Sequence, residues 1–299
     1  MRVCVTGGAG FLGDAACRAL RASGHEAIAL DLRPMAGATH PFQPVDVTDS
    51  AAASLTLARL RPDAVVHLAA MLTSESQADP VAATRVNVLG TAIVFQAALA
   101  AGARRVVYAS SVAALGAADT TAGDAATPKP ASIYGATKAF SEHLAGAIAP
   151  TSQASLVGLR FGWIYGPGRV RGWRAPQIPI EAALRGERDV RYQDYPQAID
   201  WTWIQDAAMV VVRAVEAEMT GHEVFNVAGD RRTMRDAVAI LAGHFPDTLF
   251  TPEAAITPTS AWGFANDGLE SALGLRPSTA LEAGIGLFMQ AWRDAQRQT

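Results

Sequence analysis

Through the first half of the chain, short runs of β-branched and apolar residues alternate with longer stretches whose apolar positions recur every three to four residues. The runs are "RVCVTG" from Arg2, "EAIALD" from Glu26, "DAVVHLAA" from Asp63 and "RRVVYASS" from Arg104, and a helical pattern covers about Phe11 to Ala22. Strand-length runs separated by helix-length amphipathic segments predict βαβ units, a parallel sheet and helices on both of its faces. Helix boundaries are marked in the same stretch. Asp79 followed by Pro80 reads as an N-cap with a first-turn proline, opening a long helix toward Ala101, and Gly102 stops it. Gly24 closes the first helix in the same way.

The pattern changes at about Gly166, where "YGPGRVRGWRAPQIP" mixes glycine, proline, arginine and aromatic residues. This predicts a binding loop that feeds a second, smaller lobe. "HEVFNVAG", His222 to Gly229, reads as a strand returning to the main sheet, and a helix follows with a cap near Thr233. The expected division is therefore interleaved: residues 1–165 with return elements at about 201–228 form one domain, and 166–200 with 229–299 form the substrate lobe. No internal repeat or low-complexity tract is visible beyond general alanine richness.

Composition narrows the partners. The 299 residues are half hydrophobic and 18% charged, enough for a sizeable core, and the formal net charge of −3 offers no basic field for nucleic acid or an anionic membrane. A small-molecule partner is expected. Cys4 and Cys17 fall in apolar-periodic segments, too few for a disulfide framework or a metal set, and they fit a reducing cytoplasm. The N-terminus lacks the apolar run of a signal peptide, and no window approaches 18 uninterrupted apolar residues. No membrane association is expected.

Four features carry chemistry. After the first strand, "TGGAGFLG" spaces Gly7, Gly10 and Gly13 as GxxGxxG on a strand-turn-helix. Glycines there let the chain turn sharply, let backbone approach a pyrophosphate and let the helix pack on the strand, while the helix N-terminus presents free N–H donors. Asp31, at the end of the second strand and 18 residues past Gly13, stands where a carboxylate receives the adenosine ribose hydroxyls of NAD. Arg33 would partly offset its repulsion of the extra phosphate of NADP. Tyr134 and Lys138 in "SIYGATKAF" are four apart and share a helix face. With five tyrosines and only two lysines in the chain, chance gives that spacing in about 3% of cases. A phenol of pKa near 10 needs positive charge beside it to act as a base near neutrality. Ser110 and Ser111 end the strand "RRVVYASS" at the carboxyl edge of the sheet, where a hydroxyl can donate to a substrate oxygen or simply end a strand. GxSxG is absent, the six histidines lack metal-ligand spacing, and His67 sits in an apolar run as a core histidine; no metal is expected.

Together these segments resemble the extended short-chain dehydrogenase/reductases, the NAD-dependent epimerase/dehydratase group. The resemblance runs over most of the chain and rests on "TGGAGFLG", Asp31, Asp46-Val47, "HLAA" at His67 to Ala70, "VNVLGT" with Asn87, "SSV" from Ser110, "YGATK", "LRFGWIYGPG" and "VFNVAG". It implies a Rossmann-type doubly wound parallel sheet, an α/β fold with a smaller interleaved C-terminal lobe. It also implies Tyr134 as acid/base, Lys138 holding the nicotinamide ribose and lowering the tyrosine pKa, and Ser111 orienting substrate. For the cofactor it implies Gly7, Gly10, Phe11, Leu12, Gly13, Asp31, Asp46, Val47, Leu68, Ala69, Ala70, Asn87, Tyr134, Lys138 and Phe161. A homodimer through helices at about Pro80 to Ala101 and Ser132 to Ala149 belongs to the same resemblance.

Departures from the family pattern bear on the substrate. Nucleotide-sugar epimerases of the group commonly have Asn where this chain has Trp163, and Arg before the aspartate where it has Ile199. Arg169, Arg171 and Arg174 either grip an anion or form a solvated basic loop. Thr73, Ser74, Ser111, Trp163 and Arg174 are the expected substrate contacts, and Trp173, Trp201 and Trp203 lie near the expected pocket. The expected function is a cytoplasmic NAD-dependent dehydrogenase for a small polyhydroxylated or carboxylated alcohol. The alternative is a sugar or nucleotide-sugar epimerase/dehydratase.

Overall fold

The computed structural model describes residues 1–116, 122–253 and 263–297. The stretches 254–262 and 298–299 of the expected C-terminal lobe lie outside the described residues. The chain runs β1 (Arg2–Thr6), α1 (Phe11–Ala22), β2 (Glu26–Asp31), β3 (Phe42–Pro44), α2 (Ser50–Leu60), β4 (Ala64–His67) and α3 (Thr73–Ala78). A long helix follows, made of α4 (Pro80–Ala83), a π-helical turn (Thr84–Leu89) and α5 (Gly90–Ala100). Next come β5 (Arg105–Ser111), α6 (Ile133–Ile148), β6 (Ser155–Phe161), β7 (Trp163–Tyr165), α7 (Ile178–Leu184), β8 (Asp189–Gln193) and β9 (Ile199–Trp203). The chain ends with α8 (Ile204–Glu216), β10 (His222–Val227), β11 (Asp230–Arg232), α9 (Met234–His244), β12 (Leu249–Glu253), α10 (Asp267–Leu273) and α11 (Leu281–Arg297).

Seven strands form one parallel sheet in the order β10-β6-β5-β4-β1-β2-β3. Read from the other edge this is the 3-2-1-4-5-6 order of a doubly wound dinucleotide fold with one strand added. The added strand is β10, the returning segment expected from "HEVFNVAG". Both faces of the sheet are buried, which the alternation of side chains makes visible. Val3, Val5, Val66, Val107 and Val157 pack toward α1 and α8, while Cys4, Ile28, Val65, Val106 and Leu156 pack toward α2, α5 and α6. The apolar helix Pro80–Ala100 is long enough to cross a bilayer by length and composition, yet half of it is buried as a core helix.

The rest of the chain builds a three-stranded sheet, β11-β9-β7, and a parallel pair, β12-β8. Here the expected boundaries shift. Ile199–Trp203 lies in the small sheet, and of the return elements α8 and β10 lie on the main one. The core under the α1/α8 face continues into Trp163, Tyr165, Trp201, Ile285 and Phe288, so the two parts share one apolar interior. Local signals explain the helix starts. Asp79 caps the long helix by accepting from Ala82 N at 2.9 Å, and Thr233 forms a capping box with Asp236.

Candidate active site

Ser132 opens α6 by accepting from Gly135 N at 3.0 Å, which places Tyr134 on the first turn and Lys138 one turn on. Gly135 is required by packing: a Cβ there would run into the Ala113 carbonyl of the turn that follows β5. The close approach sets the Tyr134 phenol against Ser111, whose hydroxyl hydrogen-bonds it. Lys138 is buried, with Nζ 5.6 Å from the centre of the Tyr134 ring and donating to Ala109 O at 2.8 Å. Ser110, its neighbour on the strand, points the other way and donates to buried Glu142. Of the two serines, Ser111 faces the site.

The electrostatics differ from the expectation that Lys138 lowers the tyrosine pKa. Burial pushes the Tyr134 phenol up to about 12, opposed by the Ser111 hydrogen bond and the Arg169 charge. Burial also lowers Lys138 to about 8, so the ammonium persists at neutral pH with little margin. His67, between Thr6 Oγ1 (2.7 Å) and Thr91 Oγ1 (3.0 Å), is held down to about 3 by burial and the Lys138 charge. It is a neutral core histidine.

The glycine loop fits a dinucleotide. Gly7 has φ 68°, and a Cβ there would lie 2.6 Å from Ala69 N, so the loop and the end of β4 approach as only glycine allows. The α1 N-terminus carries no side-chain cap, which leaves the N–H groups of Phe11, Leu12 and Gly13 as donors for phosphate. Asp31 accepts from Ala9 N at 3.1 Å and Leu32 N at 2.7 Å, fixing its carboxylate at the loop. Asp46 binds Thr48 N and Oγ1, each at 2.8 Å, while Val47 is buried against Gly90. Leu68, Ala69 and Ala70 continue β4 at the carboxyl edge, and Phe161 ends β6 opposite Ser111. Asn87 lies against the loop that follows β4. Its amide accepts from Met71 N and donates to Met71 O and Thr137 Oγ1, so it ties the loop after β4 to α6 from within the π-helical turn.

Ser111 and Tyr134 open onto a cavity of about 160 Å³, whose wall includes Thr73, Trp163, Arg169, Trp173, Ile199 and Asp200. Two expected substrate residues fall elsewhere. Ser74 is exposed on α3 and does not line the cavity, and Arg174 is ion-paired with Glu181 of α7. The arginine in the wall is Arg169, stacked 5.7 Å from the Trp163 ring and lowered to about 10 by burial. Arg171 pairs with Glu75 at 2.8 Å on the surface. Trp163 and Trp173 line the cavity, whereas Trp201 and Trp203 are core residues behind it, with Trp201 meeting Trp163 edge-on at 4.8 Å. Asp200 was not expected in the site. Its carboxyl is pushed up to about 7 by burial, with the Arg231 charge opposing. Its only sequence signal was alternation within the apolar strand "IDWTW". Among the described residues, no group of three or more His, Cys, Asp or Glu side chains is arranged to hold a metal.

Comparison with known proteins agrees with this geometry. The model of the NAD dependent epimerase/dehydratase family matches residues 3–228. Over 97% of this chain and 94% of its own length, the dTDP-L-rhamnose 4-epimerase of Burkholderia thailandensis is 28% identical. A 3-diazoavenalumate denitrifying reductase of a Streptomyces species is 31% identical over 93% of this chain and 96% of its own. Among solved structures, MoeE5 in complex with UDP-glucuronic acid and NAD superposes with a TM-score of 0.85 at 30% identity, covering 99% of this chain and 100% of that one. The chain is an enzyme of the NAD-dependent epimerase/dehydratase family, an extended short-chain dehydrogenase/reductase whose cofactor is NAD.

Proposed function

We propose that the protein oxidises one hydroxyl of a small sugar or sugar-derived alcohol and releases the oxidised product. The observation that carries this reading is the Ser111 and Tyr134 pair, with Lys138 buried one helical turn on, opening onto a cavity of only about 160 Å³ walled by Trp163 and Trp173. Drug-sized ligand sites run from about 300 Å³ upward, so the space suits a single small substrate. Ile199 and Trp163, where nucleotide-sugar enzymes of the group commonly carry Arg and Asn, support the same reading.

In this reading Tyr134 takes the hydroxyl proton while Ser111 donates a hydrogen bond to the same oxygen, holding it as charge develops. Bringing the phenol from about 12 to neutrality requires roughly 7 kcal/mol of charge stabilisation. The Ser111 hydrogen bond and the Arg169 charge supply part of it. NAD, when bound, supplies the hydride acceptor and a positively charged ring. Gly7, Gly10, the α1 N-terminus and Asp31 would hold its phosphates and adenosine ribose. A homodimer is part of the same proposal, supported by the exposed apolar side chains of Val81, Leu89 and Phe140 on the long helix and α6.

A second reading is favoured by the names of the relatives: epimerisation, in which the oxidised sugar is reduced again before release. Incubation with excess NAD and a panel of free aldoses, uronic and aldonic acids and their nucleotide-linked forms separates the two. Sustained NADH formation with a free sugar or acid supports the first. An isomer formed only from a nucleotide-linked sugar, with no net NADH, overturns it.

A further inference from the structure

We propose that Asp200 sets the substrate preference of this cavity: its carboxylate accepts a hydrogen bond from a substrate hydroxyl, so an uncharged sugar is taken in preference to its carboxylate-bearing counterpart. The inference rests on the sugar-oxidising reading above and decides between the two substrate chemistries that reading allows.

Asp200 is 5% exposed and stands in the same cavity wall as Ser111 and Tyr134. Its Oδ2 is buried and has no hydrogen-bond partner among the described residues. A buried carboxylate oxygen without a partner is costly, and such groups persist where something else completes them. The backbone leaves the residue little freedom. Asp200 lies mid-strand in β9, with Arg231 opposite in the register with β11 and buried Ile199 and Trp201 on either side.

The other charged wall residue is already engaged. Arg169 donates through Nη1 to Ile164 O and through Nη2 to Trp173 O, and its guanidinium lies over Trp163. It braces the loop Gly166–Gly172, with both terminal nitrogens donating to carbonyls and Nε buried. Asp200 Oδ2 is an acceptor without a partner, and the complementary ligand atom is a donor. A sugar hydroxyl meets that need, whereas a ligand carboxylate would stand beside a second carboxylate.

The test measures kcat/KM with NAD for matched pairs of substrates, an aldose and the uronic acid of the same configuration. A hydrogen bond to a charged group corresponds to a factor of about ten or more, so the wild-type protein is expected to favour the neutral member of the best pair at least tenfold. Asp200→Asn is expected to raise the acid-to-neutral ratio about tenfold while NAD affinity, read by tryptophan quenching, stays within twofold. A purely structural role would lower both members together and leave the ratio unchanged, which would overturn the proposal. Should Asp200→Asn fail to fold, the wild-type pair decides alone: equal or better use of the acid overturns it. Turnover with the wrong ratio sinks this inference only, whereas no turnover of any sugar or acid in the panel sinks the proposed function and this inference with it.

Discussion

A phenol held near 12 is a poor base at neutral pH, so the burden on Tyr134 falls on the positive charges around it and on the Ser111 hydrogen bond. Tyr134→Phe is expected to lower turnover about 10²–10⁴-fold, the usual worth of a positioned acid/base, with NAD binding retained; kinetics paired with fluorescence titration check both halves. Two other buried groups act on stability in opposite senses. His67 has a folded pKa of about 3 against 6.5 in an unfolded chain, so its contribution is full above pH 6.5 and is lost as pH falls toward 3. Asp200, raised from 3.8 to about 7, binds its proton more tightly when folded, so stability declines as pH rises between those values. Asp200→Asn should therefore melt several degrees above the wild type at pH 8, a difference that shrinks toward pH 4 in a thermal-melt series. Tyr134, Lys138 and Ser111 were legible in the sequence because their types and spacing are rare together. Arg169 and Asp200 were not singled out. Which of three nearby arginines enters a cavity depends on the path of a loop, and an aspartate inside an apolar strand shows its facing only when the strand is paired.

At the scale of elements, what positions Tyr134 is the contact between the start of α6 and the turn after β5. Gly135→Val would force the Ala113 carbonyl away, with an expected cost of about 1–3 kcal/mol in denaturant unfolding and at least tenfold in kcat, because Tyr134 and Ser111 would no longer meet. The strands β1, β2, β4, β5 and β10 and helix α1 were readable from periodicity and from turn and cap residues. The short strands of the small sheet were not. β7 and β11 have three residues each, too few for any period, and their partner β9 is buried throughout, so it shows no solvent-facing side. The π-helical turn holding Asn87 also leaves no mark in composition. Its role emerges from the bonds to Met71 and Thr137, which lock the loop after β4 onto the catalytic helix.

Across the molecule, the sheet and the smaller lobe share one core, and a buried ion pair ties the sheet to the catalytic helix. Arg160 of β6 donates to Glu142 of α6 at 2.7 and 2.8 Å and to the carbonyls of Asp124 and Ala126. Breaking it by Glu142→Gln leaves a buried guanidinium uncompensated and should cost about 3–5 kcal/mol by denaturant titration, more than any surface pair. The doubly wound order was legible at this scale, since alternating strand and helix signals admit few topologies. Substrate choice was not, because it is written in a cavity assembled from α3, β5, α6, the loop after β7 and β9. The most direct test of the central claim follows NADH formed against substrate consumed, with the sugar that supports the fastest turnover and excess NAD. The expected result is one NADH per substrate over many turnovers, abolished in Tyr134→Phe. Consumption of substrate into an isomer with no accumulation of NADH would contradict it.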